Sequence, residues 1–122
     1  MIVPGGDARI AITTAGSREE AEQIGRTLVE ERLAACVNLL PGVTSVYRWR
    51  EEMETAEEVL LAIKTTAVRL EELEAAVRRL HSYEVPEFVV LHPESMGKAY
   101  MEWVAGCVTP RPGDAARDSD AE

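Results

Sequence analysis

The densest chemistry in the chain lies in seven consecutive residues. His81-Ser82-Tyr83-Glu84-Val85-Pro86-Glu87 sets an imidazole, a phenol and two carboxylates between a helical pattern and a β-branched run. An imidazole can ligate a metal or move a proton, a phenol can donate to an anion, and carboxylates can hold cations. A loop between a helix end and a strand start is where sheet-based folds present such groups. His81 also has a structural use, because a helix C-terminus favours a cationic ring. Lys64, Tyr100 and Trp103 lie on elements that could reach the same region. The candidate ligand-binding set is therefore Lys64, His81, Tyr83, Glu87, Tyr100 and Trp103, with His81 the candidate metal ligand. His81 and Glu87 would be the acid and base of an enzyme reading.

The remaining reactive residues form weaker patterns. Glu51, Glu52, Glu54, Glu57 and Glu58 crowd five carboxylates into eight residues, a pattern that reads first as a solvated turn and a strand edge guarded against aggregation. Cys36 and Cys107 do not form a C-x-x-C pair, and two cysteines are too few for a disulfide framework. They read as half-buried free thiols in a reducing compartment. No G-x-S-x-G elbow, H-E-x-x-H helix or glycine-rich phosphate loop is present. The residue types favour binding over catalysis.

The elements that would carry these groups follow from the hydrophobic period. Ala8 to Thr14 is a first strand, and Ser17 with Glu20 forms a capping box for a helix whose stripe is Ala21, Ile24 and Leu28, flanked by Val29 and Leu33. After a break at Pro41-Gly42, Val43 to Arg50 alternates as a strand, with Ser45, Tyr47 and Trp49 on one face. A turn over 51–54 returns the chain as a strand from Val59 to Thr65, so the two must pair antiparallel. Thr66 can cap a second helix with the stripe Leu70, Leu73, Val77 and Leu80. Phe88 to Leu91 has the continuous apolar character of a central strand. Lys98 to Val108 closes the body as a short helix bearing Tyr100, Trp103, Val104 and Cys107.

The order is βαββαβ plus a terminal helix. This predicts an α+β, ferredoxin-like antiparallel sheet with two helices on one face and a short C-terminal helix. The other face of the sheet is left uncovered, and the hairpin is long for so small a body, which points to self-association. The chain has 122 residues, room for one domain. Residues 1–7 read as a flexible lead-in, 8–108 as the folded domain and 109–122 as a disordered acidic tail. With 46% hydrophobic and 29% charged residues the chain can build a core unaided. A net charge of −9 argues against nucleic acid and anionic lipid as partners. No secretory or membrane-spanning stretch opens the sequence, so a cytoplasmic location is expected.

A family resemblance runs through these same residues. The first strand and helix, Ala34 to Asn38, Pro41 to Trp49, Ile63-Lys64-Thr65, the loop His81 to Glu87 and Tyr100 to Trp103 together resemble the CutA divalent-cation tolerance family, in order, over about residues 8–108. The resemblance implies a tight homotrimer whose long hairpin pairs with neighbouring subunits, and an association with copper (Cu2+) and other divalent metals. It also implies an architecture similar to PII-type signalling trimers and a pocket at the subunit boundary near His81 and Glu87. Some members proposed to bind copper carry a cysteine in the first strand and two adjacent histidines before the loop. Here those positions hold Thr13 and Leu80, and only His81 remains of the set. The expected function is that of a homotrimeric binding or sensing protein in divalent-metal tolerance, and not an enzyme. The alternative is a PII-like signalling trimer that binds a small anionic metabolite beside Lys64 and His81.

Overall fold

Two unusually long strands dominate the structure, a computed structural model that describes residues 1–110. The elements are β1 (Ile2–Pro4), β2 (Ala8–Ala15), α1 (Arg18–Glu30), β3 (Cys36–Trp49) and β4 (Glu52–Thr66). There follow a single 3-10 turn (Ala67–Arg69), α2 (Leu70–Leu80), β5 (Val89–Leu91), β6 (Ser95–Gly97) and α3 (Lys98–Val108). The main sheet is antiparallel in the order β3-β4-β2-β5. With α1 and α2 on one face, this is the ferredoxin-like α+β arrangement expected from the element order.

Side chains on alternate residues of β2 and β4 build the core. Ala11, Ala15, Val59, Leu61 and Ile63 are buried against Ala21, Ile24 and Leu28 of α1 and Leu73, Ala76 and Val77 of α2. Alanines on β2 allow the helices to lie close to the sheet, and Gly25 extends that approach, since a Cβ there would touch Val37 and Leu39. Helix α1 begins as the sequence predicts: Ser17 Oγ accepts from Glu20 N at 3.1 Å. The return half of the capping box is different. Glu20 Oε1 accepts from Gly16 N at 3.4 Å, and its other oxygen takes Ser82 N at 2.8 Å, tying the helix start to the loop after α2.

Several boundaries differ from the sequence reading. Ile2–Pro4 is a strand paired with Ser95–Gly97, and His92 Nε2 lies 2.9 Å from Gly6 O, so the residues read as a loose lead-in are bound to the body. The segment at Pro41-Gly42 does not break the strand. Leu40 pairs with Leu60 and Val43 with Glu58, so one extra residue is accommodated as a bulge with Gly42 at φ +77°. The hairpin turn is Arg50-Glu51, both at positive φ as a two-residue type I′ turn requires, and not 51–54. Thr66 makes no side-chain cap bond, and α2 starts only after the 3-10 turn. β5, read as central, is the sheet edge: Val89, Val90 and Leu91 are 39–48% exposed. Its apolar run reflects an uncovered face, with Phe88 alone packing on the core. Val29 likewise points outward. The acidic tail lies outside the described residues except for Thr109 and Pro110.

Candidate functional site

The bulge decides what shares a face. On β4, Glu58, Leu60, Ala62 and Lys64 point away from α1 and α2, because Val59, Leu61 and Ile63 point into the core between them. Before the bulge, Cys36, Asn38 and Leu40 pair with Lys64, Ala62 and Leu60 and so share this open face. After it the parity inverts, and Val43, Ser45, Tyr47 and Trp49 take their place opposite Glu58, Ala56, Glu54 and Glu52. One extra residue thus puts the Ser45 hydroxyl near Glu58 and sets Tyr47 and Trp49 farther out along the same face.

The loop after α2 completes the site from the other side. His81 ends the helix in extended backbone, its N–H still bonded to Val77 O at 3.0 Å. Its Nδ1 accepts from Tyr83 N at 3.1 Å, which leaves the ring proton on Nε2 to donate to Thr14 O at 2.6 Å. The ring is tilted against Tyr83 with centroids 4.6 Å apart. This orients the Tyr83 phenol, whose hydroxyl donates to Glu58 Oε2 at 2.8 Å. Gly16 gives it room, since a Cβ there would lie 3.1 Å from that hydroxyl.

Glu58 is the centre of this network. It is only 8% exposed, contrary to the solvated turn read from the acidic cluster. Burial pushes its carboxyl up, but hydrogen bonding with Ser45, Tyr83 and Thr14, together with the electrostatic effect of His81, outweighs burial and holds it below the usual glutamate value. Burial, followed by the bond to Glu58 and its charge, pushes the Tyr83 phenol far up. Glu20, at the loop's other anchor, behaves like Glu58: burial raises it, and the Ser82 bonds, His81 and the Gly16 bond together lower it by more. Together Thr14, Ser45, Tyr47, Trp49, Glu58, Tyr83, Glu84 and Glu87, with Val46 and Val85, line a cavity of about 660 Å3. At the rim Arg50 pairs with Glu84 at 3.0 Å and lies over the Trp49 ring, 5.3 Å from its centroid.

The residues predicted as one ligand-binding set fall into two groups. Tyr83 and Glu87 line the cavity, and His81 stands behind it as a brace. Lys64 lies six residues along β4 from Glu58, roughly 20 Å at the rise of a strand. There its ammonium bonds Asn38 Oδ1. Tyr100 belongs with that end of the sheet, where burial and then the Cys36 thiol beside it push its phenol up. Trp103 stacks near Tyr100, with centroids 5.6 Å apart. Within the chain, Lys64, Tyr100 and Trp103 do not join the cavity.

The donors of this single chain do not fit a copper site. Both nitrogens of His81 are engaged, and among the described residues no group of three or more His, Cys, Asp and Glu side chains could hold a metal ion. Sequence reasoning missed Glu58, Thr14 and Ser45. Period-2 alternation marks Ser45 with Tyr47 and Trp49, but nothing in sequence brings Thr14 or Tyr83 to Glu58.

Comparison with known proteins places this chain in a recognisable group. The family model described as "CutA1 divalent ion tolerance protein" matches residues 9–107. A divalent-cation tolerance protein CutA from Thermus thermophilus is 44% identical over 95 residues, covering 78% of this chain and 92% of that protein. Mouse Protein CutA is 41% identical over 99 residues, covering 81% of this chain, which spans 56% of the mouse protein. The solved divalent cation tolerance protein from Thermus thermophilus superposes with a TM-score of 0.82 at 41% identity, covering 84% of this chain and 99% of the other.

Proposed function

The chain belongs to the CutA1 divalent ion tolerance family, and from that premise we propose that it is a homotrimeric binding or sensing protein in the response to divalent metals, copper among them. The observation that carries the assembly is the uncovered apolar surface of the subunit. β3 and β4 run for 14 and 15 residues, well past the helices, and expose Leu40, Val46, Tyr47, Trp49 and Met53. The β5 edge adds Val89, Val90 and Leu91, and α3 adds Tyr100 and Trp103. Surface of this extent is removed from water by a second copy of the same chain more simply than by any other partner. Packing of hairpins around a threefold axis would bring the Tyr100 end of one subunit to the cavity of the next, and so reunite the two groups of site residues.

A role in binding and not in catalysis is supported by the occupied His81 ring, whose two nitrogens are both engaged and so not offered to Glu87 as an acid–base partner. Any copper ligand set would have to draw on more than one subunit. We place the protein in the cytoplasm, where Cys36 and Cys107 remain reduced.

The test is light scattering coupled to size exclusion, followed by calorimetric titration with Cu2+. Three chains of 13.4 kDa give a particle of about 40 kDa, which is the expected mass. A 13.4 kDa species at micromolar concentration would sink the assembly. A trimer that gives no heat with Cu2+ or other divalent ions would keep the assembly and remove the metal.

A further inference from the structure

The fold brings the chain's two thiols to one end of the sheet from distant points in the sequence. Cys36 opens β3 and Cys107 lies in the last turn of α3, and both are free and half-buried. Cys107 packs against the small core cluster of Ala35, Val104 and Val108, and Ala35 is the residue next to Cys36. Tyr100 stands two helical turns before Cys107 and so on the same side of α3. It neighbours both sulfurs: burial, then the Cys36 thiol and after it Cys107, push its phenol up.

These neighbours make a poor cage for a resident divalent ion. Lys64 lies directly opposite Cys36 in the strand register with its ammonium bonded to Asn38, and a cation there opposes a bound metal. Among the described residues no third His, Cys, Asp or Glu joins the two thiols as a metal-holding group. Two neighbouring thiols can instead give up two electrons together. A disulfide needs Cα atoms about 4.4–6.8 Å apart. The last turn of α3 is the element free to adjust to that spacing. It is tied down by exposed bonds from Arg32, whose Nε donates to Thr109 O at 3.1 Å and Nη2 to Gly106 O at 3.2 Å. Helix ends held this way open at little cost.

We propose that Cys36 and Cys107 are a redox pair that senses cupric ion by reducing it, closing an intrachain disulfide between β3 and α3. This rests on the metal-sensing reading above and deepens it, with electron transfer in place of a resident copper ion. Each thiol gives one electron to a Cu2+ and its proton to water. The two S–H bonds break, one S–S bond forms, and two Cu+ and two protons leave. The chain's net charge of −9 draws cations to it. The disulfide takes the Cys36 sulfur away from Tyr100 and pins α3. Oxidation thereby alters the Tyr100 and Trp103 surface, where the two rings lie 5.6 Å apart.

The experiment uses the full chain, reduced and free of oxygen, at measured particle mass. Calorimetry reads the heat of Cu2+ addition, and bathocuproine added after the reaction counts Cu+. A chromogenic thiol reagent counts free cysteines once copper is removed, and peptide mapping without reductant locates any cross-link. The expected result is two Cu+ made and both thiols lost per chain, with Cys36 joined to Cys107 of the same chain. Zn2+, which takes no electron, should leave both thiols free. In Cys36→Ser or Cys107→Ser the remaining thiol should reduce Cu2+ at least about tenfold more slowly, because its intramolecular partner is gone. Single variants as fast as wild type overturn the proposal, as do cross-links between chains. The mapping on wild type decides the matter should a variant misfold. Heat from Cu2+ with both thiols still free overturns it too, while leaving the metal reading standing. A monomer that closes the intrachain disulfide with Cu2+ sinks the assembly alone. Neither heat nor thiol loss sinks the copper reading and the redox pair together.

Discussion

Replacing Tyr83 by Phe removes one oxygen and leaves the ring, its packing against His81 and the backbone bond to His81 Nδ1 in place. The bond lost is the 2.8 Å contact to Glu58 Oε2. Because the acceptor is ionised and 8% exposed, the bond belongs to the charge-assisted class, worth about 1.5–3 kcal/mol. At about 4–8 °C per kcal/mol for a domain of this size, the melting midpoint should fall by at least about 6 °C at pH 7. Protein concentration must be held fixed, since a self-associating chain has a concentration-dependent midpoint. The pH dependence gives a second reading. Glu58 is depressed in the folded state, so its contribution is present above the ordinary value of 4.5 and is lost as pH falls through the folded value. The gap between wild type and Tyr83→Phe should therefore be full at pH 7 and narrow as pH drops below 4.5. Scanning calorimetry of wild type, Tyr83→Phe, Glu58→Gln and the double variant closes a cycle on this pair. A Tyr83→Phe midpoint within the scatter of an ordinary surface substitution, about 0.5 kcal/mol, would show that the phenol does not hold the carboxylate.

Two further outcomes test the surrounding structure. Gly5→Ala would drive a Cβ into the carbonyl oxygen of Pro93, so the β1–β6 pair should loosen at a cost of about 1–3 kcal/mol. Hydrogen exchange should then rise at residues 2–4 and 95–97 while the α1 and α2 amides stay protected, and unchanged exchange there would contradict the packing. For His81, long-range nitrogen–proton correlation at neutral pH should show the Nε2–H tautomer, as required by donation to Thr14 O. An Nδ1–H ring would mean that the brace behind Tyr83 is built differently.

The order of strands and helices was legible in the chain because each element buries one face, and that face writes a period into the sequence. The Ile24 and Leu28 stripe, the Leu73 and Val77 stripe and the Leu61 and Ile63 alternation are all core contacts. The candidate loop was legible too, since imidazole, phenol and carboxylates stand together in sequence. What faces what was not. Side-chain direction along β3 depends on one extra residue at Pro41-Gly42, and a one-residue shift moves every later side chain to the other face of the sheet. The acidic cluster shows the same limit. Glu51 to Glu58 looks uniformly solvated in sequence, yet Glu58 is buried because Thr14, Ser45 and Tyr83 converge on it from three separate elements. Lys64 and Tyr83, both candidate ligands, end far apart because the strand between Lys64 and Glu58 is extended. Local period belongs to the sequence, because burial of one face is a local constraint. The meeting of Glu58 with its three hydroxyls belongs to the tertiary structure alone, because it depends on strand register and on where a loop crosses the sheet.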